Sequence, residues 1–132
     1  MNEVFQQERL SGLGGSDMAA ICGLSPYKTK LQVFLEKTGR YKTEETEAMW
    51  FGTEHEPVIA KRYSLVTGAK LVKGEFKKSD DYPFFFGHAD YLSVLDPFGV
   101  ECKAVGCQKA SLWGVVGTDN IPKEYLAQCQ WY

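Results

Sequence analysis

Asp96-Pro97-Phe98-Gly99 is a strong turn signal lying between two apolar runs, Phe84 to Leu95 and Val100 to Val105. The segment reads as a β-hairpin and commits this part of the chain to a sheet. Upstream of Gly68 the apolar residues recur at helical spacing, and after Gly68 the period changes. The order is helices, then a small sheet, then a helix, which makes the fold α/β.

The hairpin also carries the chemistry. Asp90 lies on its first run, and Glu101-Cys102-Lys103 opens the second. Glu101 and Lys103 are two residues apart, so in a strand they share one face. Two carboxylates can hold a hard divalent cation such as Mg²⁺. A lysine beside the metal can orient or activate a water, or offset developing negative charge. These parts suit metal-dependent cleavage of a phosphodiester. Two registers are open. A loop of Asp96 to Gly99 sets Asp90 opposite Val105, four residues along from Glu101 and too far to share a metal. A loop of Val94 to Pro97 sets Asp90 directly opposite Glu101, and a bulge at Gly99 would also close the gap. The sequence alone does not choose between them.

At 132 residues the chain is one domain with room for a core, and 44% hydrophobic residues fit a globular protein. No apolar run approaches a membrane span, and Met1-Asn2-Glu3-Val4-Phe5 is no signal peptide, so a cytoplasmic location with no membrane partner is expected. A net charge of −2 excludes nucleic-acid binding by overall charge. The charge is unevenly placed. Lys28, Lys30, Lys37, Arg40 and Lys42 form a basic run that can contact phosphates, and Glu44, Glu45, Glu47, Glu54 and Glu56 follow it. A solvated face is the bland reading of each run. Cys22, Cys102, Cys107 and Cys129 are scattered with no CxxC pair, which argues against a zinc or Fe–S site. They read as reduced, mostly buried thiols, with Cys102 pointing into the core away from Glu101 and Lys103.

Residues 11–15 read as a flexible lead-in. Ser16 is the expected N-cap of a helix over Asp17 to Cys22 that Gly23 ends. A second helix is predicted over Thr29 to Thr38 with Leu31, Phe34 and Leu35 buried. A third runs from Glu45 to Thr67, with Met49, Ile59, Ala60 and Tyr63 inward and with Gly52 and Pro57 as candidate breaks. Leu71-Val72 is a short strand and residues 107–115 are weakly helical. Asn120 is the expected cap of a last helix with Pro122 in its first turn and Tyr125, Gln128, Cys129 and Tyr132 on one side. Trp50 and Trp113 are expected in the core, and His88 as a structural residue or one near the metal.

Several segments together resemble one family. Gly14-Gly15-Ser16-Asp17-Met18-Ala19-Ala20-Ile21-Cys22-Gly23-Leu24-Ser25-Pro26-Tyr27 looks like the N-terminal motif of YqaJ-type viral recombinases, which are similar to phage lambda exonuclease within the PD-(D/E)xK nuclease superfamily. Trp50-Phe51-Gly52-Thr53-Glu54-His55-Glu56-Pro57 resembles the W-x-G-x-x-x-E-P segment. Gly87-His88-Ala89-Asp90 resembles the catalytic-aspartate segment, and Val100-Glu101-Cys102-Lys103 matches the E-x-K. The segment from Ile121 to Gln130 resembles the Y-x-x-Q-x-Q helix. The likeness runs from about Arg9 to Tyr132, in family order. Ala89 stands where the superfamily name has proline.

The resemblance implies a restriction-endonuclease-like core with a small mixed β-sheet flanked by helices. It implies one nuclease domain over residues 1–132, with helices within 16–67, the sheet within 70–105 and a helix over 120–132. Asp90 and Glu101 would ligate Mg²⁺ or Mn²⁺, with the Cys102 carbonyl and Glu56 as further ligands. Lys103 would position the attacking water, and Gln128 would orient the water or the lysine. Arg9 and Ser16 would hold a DNA 5′-phosphate, with Tyr125 beside the DNA. The implied activity is a 5′-to-3′ exonuclease on linear duplex DNA for phage-type recombination in a bacterial host, phage- or prophage-encoded. Its implied partners are DNA, a single-strand annealing protein and further copies in a ring such as a trimer. Relatives continue past the point matching Tyr132, so a C-terminally trimmed chain, a minimal natural version and a subunit completed by a partner all stay open. Two rival readings stand beside this one. The first is an endonuclease of the same superfamily. The second is a DNA-binding or inhibitory module without cleavage, against which the intact acid set argues.

Overall fold

Threonine side chains cap two of the helix starts in the structure, a computed structural model that describes residues 3–132, with side chains from residue 7 onward. The helices are α1 (Glu3–Leu10), α2 (Gly15–Ile21), α3 (Lys30–Lys37), α4 (Glu47–Thr67) and α5 (Lys123–Trp131). The strands are β1 (Leu71–Lys73), β2 (Lys77–Lys78), β3 (Phe86–Gly87), β4 (Tyr91–Ser93) and β5 (Gly99–Val100). A 3₁₀ turn covers Cys107–Leu112. α3 begins on a reciprocal cap: Thr29 Oγ1 accepts the Gln32 N–H at 3.2 Å, and Gln32 Oε1 accepts the Thr29 N–H at 2.8 Å. Thr46 Oγ1 caps α4 through the Met49 N–H, and Gly68, at φ 76°, closes it in the left-handed region.

Several expectations are corrected. α2 starts one residue before Ser16, with Gly14 as its N-cap, and the Asp17 carboxylate reaches back to the Gly14 N–H at 3.0 Å. α4 continues unbroken through Gly52 and Pro57, because a proline removes only one ladder bond from a helix capped at both ends. Within α4 Ala60 is the buried residue, whereas Met49, Tyr63 and Trp50 are exposed. α5 begins after Pro122, and Asn120 is no cap; its carbonyl accepts the Gly114 N–H at 2.7 Å instead. Arg9 and residues 11–15 are not a loose lead-in. Arg9 lies in α1, and Leu13 bridges Phe85 in parallel.

The chain forms two compact units. One holds the chain up to Thr43, Lys77–His88 and Ser111–Tyr132; the other holds Glu44–Phe76 and Ala89–Ala110. In the first, α2 packs on α5 and α3, and β2 pairs with β3 in antiparallel register. Met18, Ala20, Val33 and Phe86 are its buried apolar residues. α3 faces inward through Val33, not through Leu31 or Phe34, which are exposed. The reason is ionic. Lys37, one turn beyond Val33, meets the buried Asp17 at 2.8 Å and donates to the Arg9 carbonyl at 2.6 Å. That pairing fixes the rotation of the helix. Lys28 is likewise paired with Glu36 at 2.6 Å, so part of the basic run serves the fold.

The second unit holds α4 and the antiparallel sheet β1–β4–β5. The expected single strand from Phe84 to Leu95 is split because its two ends have different partners. Phe86 joins β2, and its N–H also donates to Leu13; Tyr91 to Ser93 join β1. Both sheets are antiparallel, and the parallel Leu13–Phe85 bridge is an isolated one outside them. Among the described residues no helix is long and apolar enough to cross a membrane.

Candidate active site

The hairpin takes the tighter of the two registers. Tyr91 pairs with Val100 and Leu92 with Gly99, and the Ser93 N–H donates to the Phe98 carbonyl at 3.0 Å. Ser93 Oγ also accepts the Asp96 N–H at 3.2 Å, which starts the turn two residues earlier than Asp96-Pro97 suggests. The next pair beyond Tyr91 and Val100 is Asp90 and Glu101. There the backbone ladder ends and the Asp90 side chain takes over, its Oδ2 accepting the Cys102 N–H at 2.7 Å. The backbone of Asp90 is held from the other side, where its carbonyl accepts the Gly74 N–H at 2.9 Å.

Gly74 is required by that approach. A Cβ there would lie 1.8 Å from the Ala89 carbonyl oxygen. Gly74→Ala is therefore expected to push Ala89 and Asp90 off β1, at a cost of about 1–3 kcal/mol in urea unfolding. A change below about 0.5 kcal/mol, the usual scatter of surface substitutions, would show that the strand yields freely there.

Two ammonium groups serve the acids. Lys103 Nζ lies 2.6 Å from Glu101 Oε1, with side-chain exposures of 25% and 9%. Glu56 lies on the same α4 stripe as the buried Ala60, one turn away, and is paired with Lys73 of β1. Glu56 is thus no solvated member of the acidic run. The Lys73 ammonium also sits 4.6 Å from the centre of the Tyr91 ring. Burial, and then the charge of Glu101, push the Asp90 carboxyl up to about 6; the Cys102 N–H and Lys103 pull the other way, and Glu56 adds to the rise. Burial alone would lower the Lys73 ammonium, but the hydrogen bond and charge of Glu56, with Tyr91 and Asp90, raise it overall.

Cys102 corrects the expectation of a core thiol. It is half-buried, and burial followed by the charges of Asp90, Glu56 and Glu101 pushes its thiol up to about 11. Cys22, Cys107 and Cys129 are exposed, not buried.

Among the described residues no three His, Cys, Asp or Glu side chains gather into a metal cage. The donors are instead Asp90 and Glu101, opposite one another, and their mutual repulsion is what a divalent ion would relieve. Mg²⁺ takes one or two protein carboxylates and leaves its other positions to waters and substrate phosphates, so these residues fit it.

The remaining candidates lie in the first unit. Gln128 is buried, and its amide donates to the Tyr132 hydroxyl at 3.1 Å. Tyr125 stacks on Trp113 with ring centres 5.6 Å apart. Arg9 Nη2 donates to Ser16 Oγ at 3.2 Å, which brings the two predicted phosphate contacts together. His88 also lies in the first unit. Lys73 and Gly74 carry no local signal of their place, because nothing in Leu71-Val72-Lys73 shows that β1 will lie beside Asp90.

Residues 4–132 match the YqaJ-like viral recombinase domain. The chain belongs to that family. It is 32% identical over 128 residues to the uncharacterized protein YqaJ of Bacillus subtilis strain 168, covering 95% of this chain and 39% of that protein. Its fold is similar to crystal structures of an alkaline exonuclease, LHK-Exo, from Laribacter hongkongensis, with a TM-score of 0.72, 21% identity and 98% of this chain covered. LHK-Exo in complex with dAMP matches with a TM-score of 0.73 and 19% identity. The chain spans 66% of LHK-Exo in each case. The mixed α/β architecture of this family member is thus that of an alkaline exonuclease fold.

Proposed function

We propose that this domain is the catalytic part of a divalent-metal-dependent deoxyribonuclease, acting 5′ to 3′ from the ends of linear duplex DNA. The observation that carries the reading is the register that sets Asp90 opposite Glu101, with Lys103 ion-paired to Glu101. Family membership and the alkaline exonuclease fold support the choice of DNA as substrate.

In this reading Asp90, Glu101, the Cys102 carbonyl and Glu56 would hold Mg²⁺ or Mn²⁺. The ion would lower the pKa of a bound water and neutralise phosphate charge. Lys103 then sits beside Glu101 to orient that water and to offset charge developing on the phosphate. The Cys102 N–H keeps the Asp90 carboxylate aimed along the hairpin. Gln128 orients the water or Lys103, while Arg9 and Ser16 hold the terminal phosphate, with Tyr125 beside the DNA. End resection before strand annealing, in a phage- or prophage-derived system of the bacterial cytoplasm, is the proposed role. An annealing protein and further copies of the chain are its proposed partners.

Linear duplex DNA, with or without a 5′-phosphate, should be cut in Mg²⁺ and left whole in EDTA, with 5′-phosphorylated ends preferred. A folded protein that binds DNA yet cuts nothing in Mg²⁺ or Mn²⁺ would leave a binding module as the better account. Equal rates on both kinds of end would remove the proposed polarity.

Metal binding should depend on pH through Asp90. Its carboxyl holds a proton to about 6 in the fold, so an ion must displace that proton in acid. Mn²⁺ affinity is expected to rise about tenfold between about pH 5 and about pH 7.5, measured by calorimetry in two buffers. Without metal the sign is reversed for folding. Between the ordinary value of 3.8 and about 6 the native state holds this proton and the unfolded chain does not, so stability falls as pH rises through that window. Asp90→Asn should flatten both trends.

A further inference from the structure

We propose that Lys73 is a positioning residue, the resident counter-ion of Glu56, and that a divalent ion at the Asp90–Glu101 site must compete with it for that carboxylate. The inference rests on the reading above only in taking a divalent ion as the occupant of that site.

Three acids and two ammonium groups meet in this unit, and the pairing is specific. Lys103 serves Glu101, Lys73 serves Glu56, and Asp90 is held by a main-chain N–H. Lys73 ends β1 directly opposite Tyr91 and so stands beside Asp90 on the neighbouring strand. Its ammonium over the Tyr91 ring fixes where the side chain runs. The two members of the Lys73–Glu56 pair differ in freedom. The Lys73 side chain is 60% exposed and that of Glu56 only 19%. The lysine can therefore swing into solvent while the glutamate stays on the inner stripe of α4.

A divalent ion drawn to Asp90 and Glu101 repels the nearby ammonium and attracts the same carboxylate. Glu56 exchanges one cation for another, and the released ammonium of Lys73 is then set beside the site to meet a DNA phosphate. Ion loading and phosphate binding become coupled through one side chain. The sequence gives no sign of this device, because Lys73 and Glu56 are 17 residues apart on different elements.

Calorimetric titration of the full chain with Mn²⁺ alone tests the exchange without needing cleavage. Lys73→Met keeps the aliphatic stem and removes the charge. It is expected to bind Mn²⁺ about twofold to fivefold more tightly than wild type, the range that an exposed ion pair can supply. Lys73→Arg should restore the wild-type affinity. Glu56→Gln should weaken binding, and adding Lys73→Met to Glu56→Gln should change the affinity no further. An affinity of Lys73→Met equal to or weaker than that of wild type, with Mn²⁺ still bound by both, overturns the exchange and leaves the metal site standing. No binding by either form removes the metal site and the exchange together. Mn²⁺ binding without DNA cleavage, with Lys73→Met still the tighter form, supports the exchange while the nuclease reading fails.

Discussion

Lys103→Ala is expected to lower Mg²⁺-dependent cleavage of linear duplex DNA by about 10²–10³-fold, the usual effect of removing one group that meets developing charge. Lys103 is the ammonium paired to Glu101 at 2.6 Å, and its side chain stays 25% exposed, open to water and substrate. Its loss leaves the backbone pairing of the sheet and the Asp90–Cys102 hydrogen bond in place but removes the partner of the nearly buried Glu101, so some loss of stability is expected beside the loss of rate. Single-turnover rates, with circular dichroism as the control for folding, separate the two effects. Lys103→Arg should recover part of the rate, since it restores charge but not the compact ammonium. A Lys103→Ala rate within about threefold of wild type, a barrier change of well under 1 kcal/mol, would remove Lys103 from the chemistry.

Lys37→Ala should unfold the first unit far more readily than its partly exposed position suggests. Asp17 is only 1% exposed, and one of its oxygens meets Lys37 at 2.8 Å and the Gly14 N–H at 3.0 Å. The other, Oδ1, is buried with no hydrogen bond among the described residues. Deleting the lysine strands a buried carboxylate, which costs about 3–5 kcal/mol. It also frees the Arg9 carbonyl, and so loosens the end of α1 from which Arg9 reaches Ser16. The double variant Lys37→Met with Asp17→Asn should recover much of the loss, because neither charge is then buried. Urea midpoints of the two variants test this, and a Lys37→Ala loss below about 1 kcal/mol would mean that water reaches Asp17.

Asp90, Glu101 and Lys103 are legible as candidates because they lie in a short stretch of local pattern. Asp90, the turn and Glu101-Cys102-Lys103 span one hairpin, and side-chain alternation does the rest. The register was left open because the feature that decides it, the Ser93 hydroxyl on the Asp96 N–H, lies outside the Asp-Pro-Phe-Gly turn itself. The rotation of α3 is hidden from the sequence for a different reason. Leu31, Phe34 and Leu35 make the better apolar stripe, but the buried carboxylate of Asp17 draws Lys37 inward and brings Val33 with it. The break between β3 and β4 was hidden because it depends on partners distant in sequence, Leu13 for one side and Gly74 for the other. Lys73 shared that fate.

The turn acts as a ruler. Four residues, Val94 to Pro97, separate Ser93 from Phe98, and the place of that loop together with its length sets Asp90 against Glu101. One inserted residue would turn Glu101 and Lys103 to the opposite face of the hairpin. Two would restore the face but slide the pair about 7 Å along the strand. Either change would disable the site with every one of its side chains still in place. Drift in the composition of this loop is cheap for the protein, and drift in its length is not.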